Sequence, residues 1–244
     1  MSVVTRRALL EQMLSVSAVG IASAVWAPSA PAVTTTIAEP SGMAELLRAA
    51  QQWLTGLNDP RVSDFMVDWP STSALRAILP TQVPVVSYLP ATSALAPPSI
   101  ASLVQSIVHE AAHFEWRRSY QTPAVSAQFM DNYGWTEWVG LRGPVPSERL
   151  ACGLLLLGPG VYYPWHRHAA EELYLPLAGR AAWKRGDGAW QQQAPGSVIH
   201  HAAWQRHAMQ TDLEPLLALY MWRGADLHQG SRLDDPTESA SELS

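Results

Sequence analysis

The spacing of apolar residues divides the chain into a helical first half and a β-rich second half. Apolar side chains recur at helical intervals over residues 43–57 and again over residues 99–120, where Ile100 and Phe114 bound one apolar face that no Gly or Pro interrupts. These patterns predict two amphipathic helices. Between them, the β-branched segment VPVVSYLP, residues 83–90, predicts a short extended segment.

After residue 133 the apolar runs become short and are separated by turn residues. Runs such as WTEWVGL, LACGLLLLG and LLALYMW alternate with turns such as GPG, AGR and GDG. Many short strands at near-regular spacing are typical of an antiparallel sandwich or barrel. The sequence therefore predicts a mainly β fold, a small antiparallel barrel preceded by an N-terminal helical region. The predicted divisions are an export signal or disordered segment at 1–35, a helical extension at 36–125, the barrel at 126–229 and a disordered polar tail at 230–244.

Composition narrows the classes of partner and site. A hydrophobic fraction of 48% fills a real core, and a length of 244 residues suits one compact domain with an appendage. The net charge of -5 and the absence of a Lys/Arg cluster give no electrostatic reason for nucleic-acid binding. The single cysteine, Cys152, excludes an intrachain disulfide and a Cys-rich zinc site, and we expect it to pack as a small apolar residue.

The first 32 residues resemble a twin-arginine export signal. They contain the pair Arg6 and Arg7, an apolar run over residues 13–26 and the small-residue end Ala30-Pro31-Ala32. This pattern predicts a periplasmic protein, and the alternative is an N-terminal helix on a cytoplasmic one. The apolar run is shorter than the roughly 20 residues that cross a bilayer, so we expect no stable membrane span.

One short motif suggests a metal on a helix. His109, Glu110 and His113 form the pattern HEAAH, which on a helix places both histidines on one face beside a carboxylate. A zinc peptidase of this type needs a third ligand, and the following residues, FEWRRSY, supply no histidine for it. The alternative is that these residues belong to a helix packed on the barrel.

A second motif is more constrained. In GVYYPWHRHAAEELYLPLAG, residues 160–179, His166 and His168 alternate, so on a strand they point to the same side. A turn then returns Glu172 on the neighbouring strand. Tyr174, two residues further on, faces the same way as Glu172.

The spacing of this motif resembles the first signature of the cupin superfamily. The second cupin segment is matched by Pro195, Gly196 and His207, although the Asn that usually follows the last histidine is absent. We expect His200 and His201 to be loop residues or to support the ligands. The resemblance implies one divalent transition metal ion, held by His166, His168, Glu172 and His207. Three imidazoles and one carboxylate suit Fe2+, Zn2+, Mn2+, Co2+ or Ni2+, and the sequence does not choose among them.

A narrower resemblance covers residues 42–228. The segment 160–179, with DNYGWTEWVG before it, WQRHAMQT after it and a helical region ahead of the barrel, is similar to the bacterial cupin-type dimethylsulfoniopropionate lyases. This resemblance implies a carbon-sulfur lyase that cleaves dimethylsulfoniopropionate into dimethyl sulfide and acrylate. The expected partner is accordingly a small zwitterionic sulfonium compound.

The resemblance also suggests roles for individual side chains. Tyr174 is the expected base, because a neighbouring divalent cation favours the phenolate, and Tyr163 is the second candidate, as base or hydrogen-bond donor. Trp222 is expected to face the sulfonium, since aromatic faces attract cations, with Trp183 and Trp204 as further candidates.

Other functions stay open at this point. A non-haem iron dioxygenase would use the same ligands, and a non-catalytic binder of small zwitterions would share the fold. The sequence contains no phosphate-binding loop, nicotinamide fingerprint or Ser-His-Asp arrangement, so we expect no organic cofactor. The oligomeric state is also open, a homodimer included.

Overall fold

The computed structural model describes residues 41–70, 75–121, 124–224 and 226–234. The predicted export segment lies outside the described residues, as does the tail from residue 235 onwards. Within the described ranges, no helix is both long and apolar enough to cross a membrane.

Helices precede the first strand. They are α1 (Ser41–Gly56), α2 (Pro60–Met66), α3 (Leu89–Thr92), α4 (Pro98–Glu110) and α5 (Ala127–Asp131). The prediction of a helix over residues 43–57 is confirmed by α1, whose buried face comprises Met43, Leu46, Leu47, Ala50 and Leu54. The first strand begins at Tyr133, eight residues beyond the predicted end of the helical extension.

The second predicted helix is shorter than expected. Helix α4 ends at Glu110, Ala111–His113 form a 3-10 turn, and the backbone is extended at Phe114. The side chain of Phe114 is fully buried, and Arg117 exchanges backbone hydrogen bonds of 2.7 and 3.0 Å with Trp135 of the first strand. Tertiary pairing and burial outweigh helix propensity here, which is a weak preference.

The prediction of an extended segment over residues 83–90 is wrong. Pro84–Tyr88 form a 3-10 helix that continues directly into α3. Pro84 and Pro90 stand in the first turns of these two elements, where the fixed φ of proline favours helix initiation. Val85 and Leu89 are buried by this arrangement.

Two sheets form the second half of the molecule, and the prediction of a mainly β fold preceded by helices is confirmed. The six-stranded sheet has the order β2 (Val145–Pro146), β1 (Tyr133–Gly140), β3 (Leu150–Leu157), β10 (Leu216–Arg223), β5 (Glu171–Ala178) and β8 (Ile199–His201). The five-stranded sheet has the order β11 (Arg232–Leu233), β4 (Tyr162–Arg167), β9 (His207–Thr211), β6 (Ala181–Arg185) and β7 (Gln191–Gln193). Every named strand pair is antiparallel except β1 with β2.

Both faces of the six-stranded sheet are buried, which explains why β3 is an unbroken apolar run. One face packs with the helices and includes Cys152, Leu154, Leu173, Leu175, Leu219 and Met221. The other face belongs to a second core that includes residues of the five-stranded sheet, among them Tyr163, Trp183 and Met209. Cys152 therefore packs as a buried apolar residue, as expected.

The register of the six-stranded sheet aligns the inward-facing side chains in rows. In one row Glu172 pairs with His201 on one side and Trp222 on the other. In the next row Tyr174 pairs with Tyr220, which pairs in turn with Gly153, and Gly153 pairs with Glu137. Because alternate residues of a strand face the same side, both rows point into the second core.

The last strand lies beyond the predicted barrel boundary at residue 229. Strand β11 pairs with β4, with Arg232 opposite Arg167. The side chain of Asp234 is 2% exposed and forms ion pairs with Arg167 at 3.1 Å and with Arg206 at 2.9 Å. A polar sequence is thus ordered here by strand pairing and by a buried carboxylate between two guanidinium groups.

Gly153 allows close approach of β1 and β3, and we expect its replacement to be costly. A Cβ atom at this position would lie 1.9 Å from the carbonyl oxygen of Thr136. Gly153→Ala should therefore lower the free energy of unfolding by about 2–3 kcal/mol, the upper range for overpacking, because backbone must move. Urea unfolding measures this change. Gly56→Ala is the control, since nothing lies within 4 Å of its added Cβ, and equal losses in the two variants would contradict the prediction.

Candidate metal centre and cavity

A buried carboxylate, Glu172, stands at the centre of a cluster of nitrogen atoms. Its Oε2 lies 3.1 Å from His168 Nε2 and 2.9 Å from His201 Nδ1. His207 Nε2 lies 3.2 Å from the same oxygen but lacks the alignment of a hydrogen bond. Trp222 Nε1 donates to Oε1 at 2.6 Å. All three histidines and the glutamate are at most 1% exposed.

Backbone carbonyls orient three of the imidazoles. The Nδ1 atoms of His166, His168 and His207 each lie 2.8 Å from a carbonyl oxygen, those of Pro164, Ala170 and Gln205 respectively. A carbonyl only accepts, so Nδ1 carries the proton in each ring and a neutral ring presents an Nε2 lone pair. Fixing the tautomer through the second ring nitrogen is typical of metal-binding histidines.

The charges within the cluster follow from burial and from mutual contact. Burial holds the pKa of His166 well below its usual value and lowers that of His201 to about 3, so both are neutral near pH 7. Burial alone would raise the pKa of Glu172, but the His168 charge and the close contacts with the imidazoles of His168, His201 and His207 hold it well below its usual range. Burial by itself would lower the pKa of His168. The charge of Glu172 outweighs this effect, so the pKa of His168 is raised. An ionised carboxylate therefore lies among mostly neutral imidazoles.

This donor set fits a divalent transition metal ion. Ligand atoms of His168, Glu172 and His207 all lie within 4.8 Å of one another. His166, the fourth predicted ligand, is buried beside them, with its ring centroid 4.0 Å from that of His207. The buried Nε2 of His207 has no hydrogen-bond partner among the described residues. Buried polar atoms are normally paired, so this nitrogen is free to bind a metal ion. Imidazole nitrogens with one carboxylate oxygen suit zinc, iron, manganese, cobalt or nickel.

The two predicted catalytic tyrosines are both buried beside the cluster. The ring centroid of Tyr174 lies 5.8 Å from that of His201, and burial together with the Glu172 charge raises its pKa well above 10. Tyr163 stacks on His166 with ring centroids 4.0 Å apart and shares a 2.8 Å hydrogen bond with the hydroxyl of Tyr120. Burial raises the pKa of Tyr163 as well.

A cavity of about 300 Å³ adjoins the cluster. Trp222 and Tyr163 form part of its wall, and each also contacts the cluster, Trp222 through the ring of His168 at 4.2 Å between centroids. The wall contains further aromatic and charged residues, namely Tyr133, Trp135, Tyr220, Glu137 and Arg142. The segment before β11 contributes Leu227, His228, Gly230 and Ser231 to the wall.

The two other predicted tryptophans do not line this cavity. Trp183 is 1% exposed and packs in the second core, with its ring centroid 6.3 Å from that of Tyr174. Trp204 is 47% exposed and has a φ of 61°, so its side chain points to the surface while its backbone N–H donates to His168 O at 2.7 Å. Of the three tryptophans, Trp222 alone belongs to both the cavity and the cluster.

The HEAAH residues are arranged differently. Because α4 ends at Glu110, His113 lies on the turn that follows, with its Nδ1 3.2 Å from Glu110 Oε2. His109 is on the surface, with 84% of its side chain exposed. Across the part of the chain that the structure describes, the group that meets metal-site geometry is His168, Glu172 and His207. The geometry supports the interpretation that these residues belong to the end of a packed helix and not to a peptidase site.

The sequence does not single out several residues of the site. It does not distinguish His200 from His201, yet His200 is partly exposed and pairs with Glu171 at 2.7 Å, whereas His201 is buried against Glu172. Tyr120 lies outside the quoted segments, and nothing in the segment DNYGWTEWVG distinguishes Glu137 as a cavity residue. Tyr220 was detectable, because it alternates with Trp222 and therefore faces the same side of β10.

Comparisons with known proteins identify relatives for most of this region. The profile of the dimethylsulfoniopropionate lyase family matches residues 70–218. Dimethylsulfoniopropionate lyase DddQ of Ruegeria pomeroyi is 30% identical over 166 residues, which cover 68% of this chain and 82% of that protein. Putative dimethylsulfoniopropionate lyase DddL of Cereibacter sphaeroides is 33% identical over 149 residues, 59% of this chain and 62% of the relative. The crystal structure of DddQ from Ruegeria pomeroyi superposes with a TM-score of 0.72 at 28% identity, covering 81% of this chain and 98% of that one.

The buried, neutral His201 predicts a pH-dependent stability in chelator-treated protein. The unfolded chain takes up a proton below about pH 6.5, whereas His201 in the folded protein does so only near its pKa of about 3. This group therefore destabilises the fold as the pH falls from 6.5 towards 3, by up to about 1.4 kcal/mol per pH unit. Urea unfolding at several pH values should show a shallower acid loss in His201→Asn than in the wild type.

The matched control is His109→Asn, which removes an exposed histidine. It should keep the wild-type pH dependence of unfolding. An equal slope in His201→Asn and the wild type would show that His201 does not titrate as described.

Proposed function

Because the chain belongs to the dimethylsulfoniopropionate lyase family, we propose that this carbon-sulfur lyase cleaves dimethylsulfoniopropionate to dimethyl sulfide and acrylate at the buried glutamate-histidine cluster. The observation that carries the proposal is the buried carboxylate of Glu172 against His168 and His207, whose tautomers are fixed by backbone carbonyls, next to an aromatic cavity. A site for a cation thus lies next to a cavity that can hold a small organic molecule.

The residues that would hold the metal are His166, His168, Glu172 and His207. A divalent ion bound there would act as a Lewis acid towards the substrate carboxylate and would lower the pKa of the adjacent Tyr174 hydroxyl. The carboxylate of Glu172 supplies negative charge that offsets the ion in a site from which water is largely excluded. The imidazoles supply neutral donors, so the net charge of the filled site stays low.

The proposed base is Tyr174. Without a cation its burial favours the neutral phenol, so the tyrosine would be a poor base at neutral pH. As phenolate, its oxygen would take the proton from the substrate carbon next to the carboxylate. The electron pair of that C–H bond forms the carbon-carbon double bond, the C–S bond breaks, and dimethyl sulfide leaves as a neutral molecule. The sulfonium charge is thereby consumed, and acrylate retains the carboxylate.

Tyr163 is proposed to orient the substrate. Its hydroxyl is already engaged with Tyr120 at 2.8 Å, and its ring is held by stacking on His166. A tyrosine fixed in this way loses little rotamer freedom when it donates a hydrogen bond to a substrate oxygen. Trp222, fixed by its hydrogen bond to Glu172, presents an aromatic surface to the cavity.

The proposal is tested by headspace detection of dimethyl sulfide from purified protein and dimethylsulfoniopropionate without oxygen. We expect gas release that disappears after chelation and returns with a divalent transition metal. Elimination consumes no oxygen, so its rate should be the same in air. No release with any of the five candidate metals would contradict the proposed function.

The role of Tyr174 is tested by Tyr174→Phe. Loss of a proton-transfer group should reduce kcat by roughly 10²–10⁴-fold, while bound metal per protein stays at the wild-type level. Tyr162→Phe is the control, because Tyr162 is 47% exposed on the same barrel and should leave turnover unchanged. A Tyr174→Phe variant with wild-type kcat would exclude this tyrosine as the base.

A further inference from the structure

One carboxylate lines the cavity at a distance from the metal cluster, and the proposed mechanism does not use it. Glu137 of β1 has a side chain that is 5% exposed, and it is the one acidic residue among the described residues that line the cavity. Its Oε1 accepts hydrogen bonds from the backbone N–H groups of Arg142 and of Gly143, the latter at 3.0 Å. Its Oε2 forms an ion pair with Arg142 Nη1 at 3.8 Å, beyond hydrogen-bond distance, and Arg142 also lines the cavity.

The register of the sheet gives the separation between this carboxylate and the metal cluster. Glu137 shares a row with Gly153, Tyr220 and Tyr174, and Glu172 lies in the adjacent row on the same strand as Tyr174. Three strand spacings separate β1 from β5, about 14 Å between backbones. Since both side chains point inward, Glu137 and the metal cluster offer charged groups at two separate places on the inner face of the sheet.

Aromatic rings surround Glu137 on the cavity wall. Trp135 precedes it by two residues on the same strand, and Tyr220 lies on β10 in the same row. Gly153 between Glu137 and Tyr220 contributes no side chain, so nothing on that strand separates the carboxylate from the ring. Burial and the Glu137 charge together raise the pKa of Tyr220 well above 10, in keeping with their proximity.

A sulfonium ion requires this kind of surface. It has no N–H or O–H bond to donate, so a protein recognises it by charge and by the contact of its methyl groups with aromatic faces. We infer that Glu137, together with Trp135, Tyr220 and Trp222, forms the subsite that selects a positively charged group at the end of the substrate remote from its carboxylate. This inference rests on the proposed function, which directs the substrate carboxylate to the metal cluster.

The sulfonium charge of the substrate is lost during the reaction, so Glu137 should affect KM and kcat differently. Glu137 stabilises the sulfonium of bound substrate, and this stabilisation declines as neutral dimethyl sulfide forms. Removal of an interaction that is not stronger in the transition state raises KM and does not lower kcat. Glu137 is therefore a substrate-binding residue and not a catalytic one.

The test combines one substitution with a neutral substrate analogue. In 4-methylpentanoate a C–H group replaces the positive sulfur of dimethylsulfoniopropionate, and the carboxylate and carbon skeleton are otherwise the same. Glu137→Gln removes the charge and retains Oε1 as an acceptor for the loop amides. We expect KM for dimethylsulfoniopropionate to rise about tenfold, as for one lost ionic contact, with kcat equal to or above that of the wild type. The inhibition constant of 4-methylpentanoate should stay within about twofold, because the analogue carries no positive charge.

Two controls separate recognition of charge from structural damage. Glu148→Gln removes an exposed carboxylate from the turn before β3 and should leave both constants unchanged. In the wild type, the inhibition constant of 4-methylpentanoate should be at least about tenfold higher than the KM for dimethylsulfoniopropionate or, if no dimethyl sulfide is released, than its dissociation constant in calorimetric titrations. This comparison needs no variant, so it decides the question even if Glu137→Gln does not fold.

The outcomes distinguish this inference from the proposed function. Similar affinities of the wild type for the two compounds would overturn the inference, as would equal changes in KM and in the inhibition constant in Glu137→Gln. An active wild type with an unchanged KM in Glu137→Gln would overturn the inference alone. If the wild type binds the sulfonium compound preferentially but releases no dimethyl sulfide, the charge-selective subsite stands and the proposed reaction fails.

Discussion

The structure depends on keeping one carboxylate, Glu172, ionised in the interior. An isolated carboxylate there would be too costly and would take up a proton. Glu172 avoids this because hydrogen bonds and ion pairs reach it from His168, His201, His207 and Trp222. These partners come from the β4–β5 turn and from β8, β9 and β10. The carboxylate is therefore satisfied only when strands of both sheets have come together.

This constraint links the fold to the chemistry of the site. The outer face of the six-stranded sheet is closed by helices α1, α2 and α4 and is apolar, so it contributes stability without reactive groups. The inner face carries the polar and aromatic rows, and the cavity lies beside them. Alternation along each strand separates these roles residue by residue, since Leu173 faces the helices while Glu172 and Tyr174 face the cavity side.

Local patterns in the sequence predicted those parts of the site that depend on neighbours along the chain. His168, Glu172 and Tyr174 follow from strand alternation across one short turn, and His207 follows from the second cupin segment. His201 could not be distinguished from His200, because its role is fixed by the pairing of β8 with β5, a contact between distant segments. The exposure of Trp204 was also not predictable, since it lies in a turn whose conformation, with a positive φ at Trp204, has no signal in the sequence.

The same distinction applies to the elements of the fold. The amphipathic pattern identified α1 and the start of α4, yet it continued past Glu110 because Phe114 keeps helical spacing while the backbone pairs with β1. Strand β11 was missed because its polar residues form no apolar pattern, and its order depends on pairing with β4 and on the buried Asp234. Patterns along the chain thus predict which face of a helix or strand is buried. Pairing between distant strands determines where an element ends and which strand it pairs with.

The central claim is that Glu172 and its histidines form one metal centre that performs the elimination. The most direct measurement is calorimetric titration of chelator-treated Glu172→Gln with the activating metal, combined with dimethyl sulfide release from the same samples. We predict that the wild type binds one ion per chain and recovers activity in proportion to occupancy, whereas Glu172→Gln loses both tight binding and gas release. A folded Glu172→Gln variant that binds one ion tightly and releases dimethyl sulfide at the wild-type rate would contradict the account.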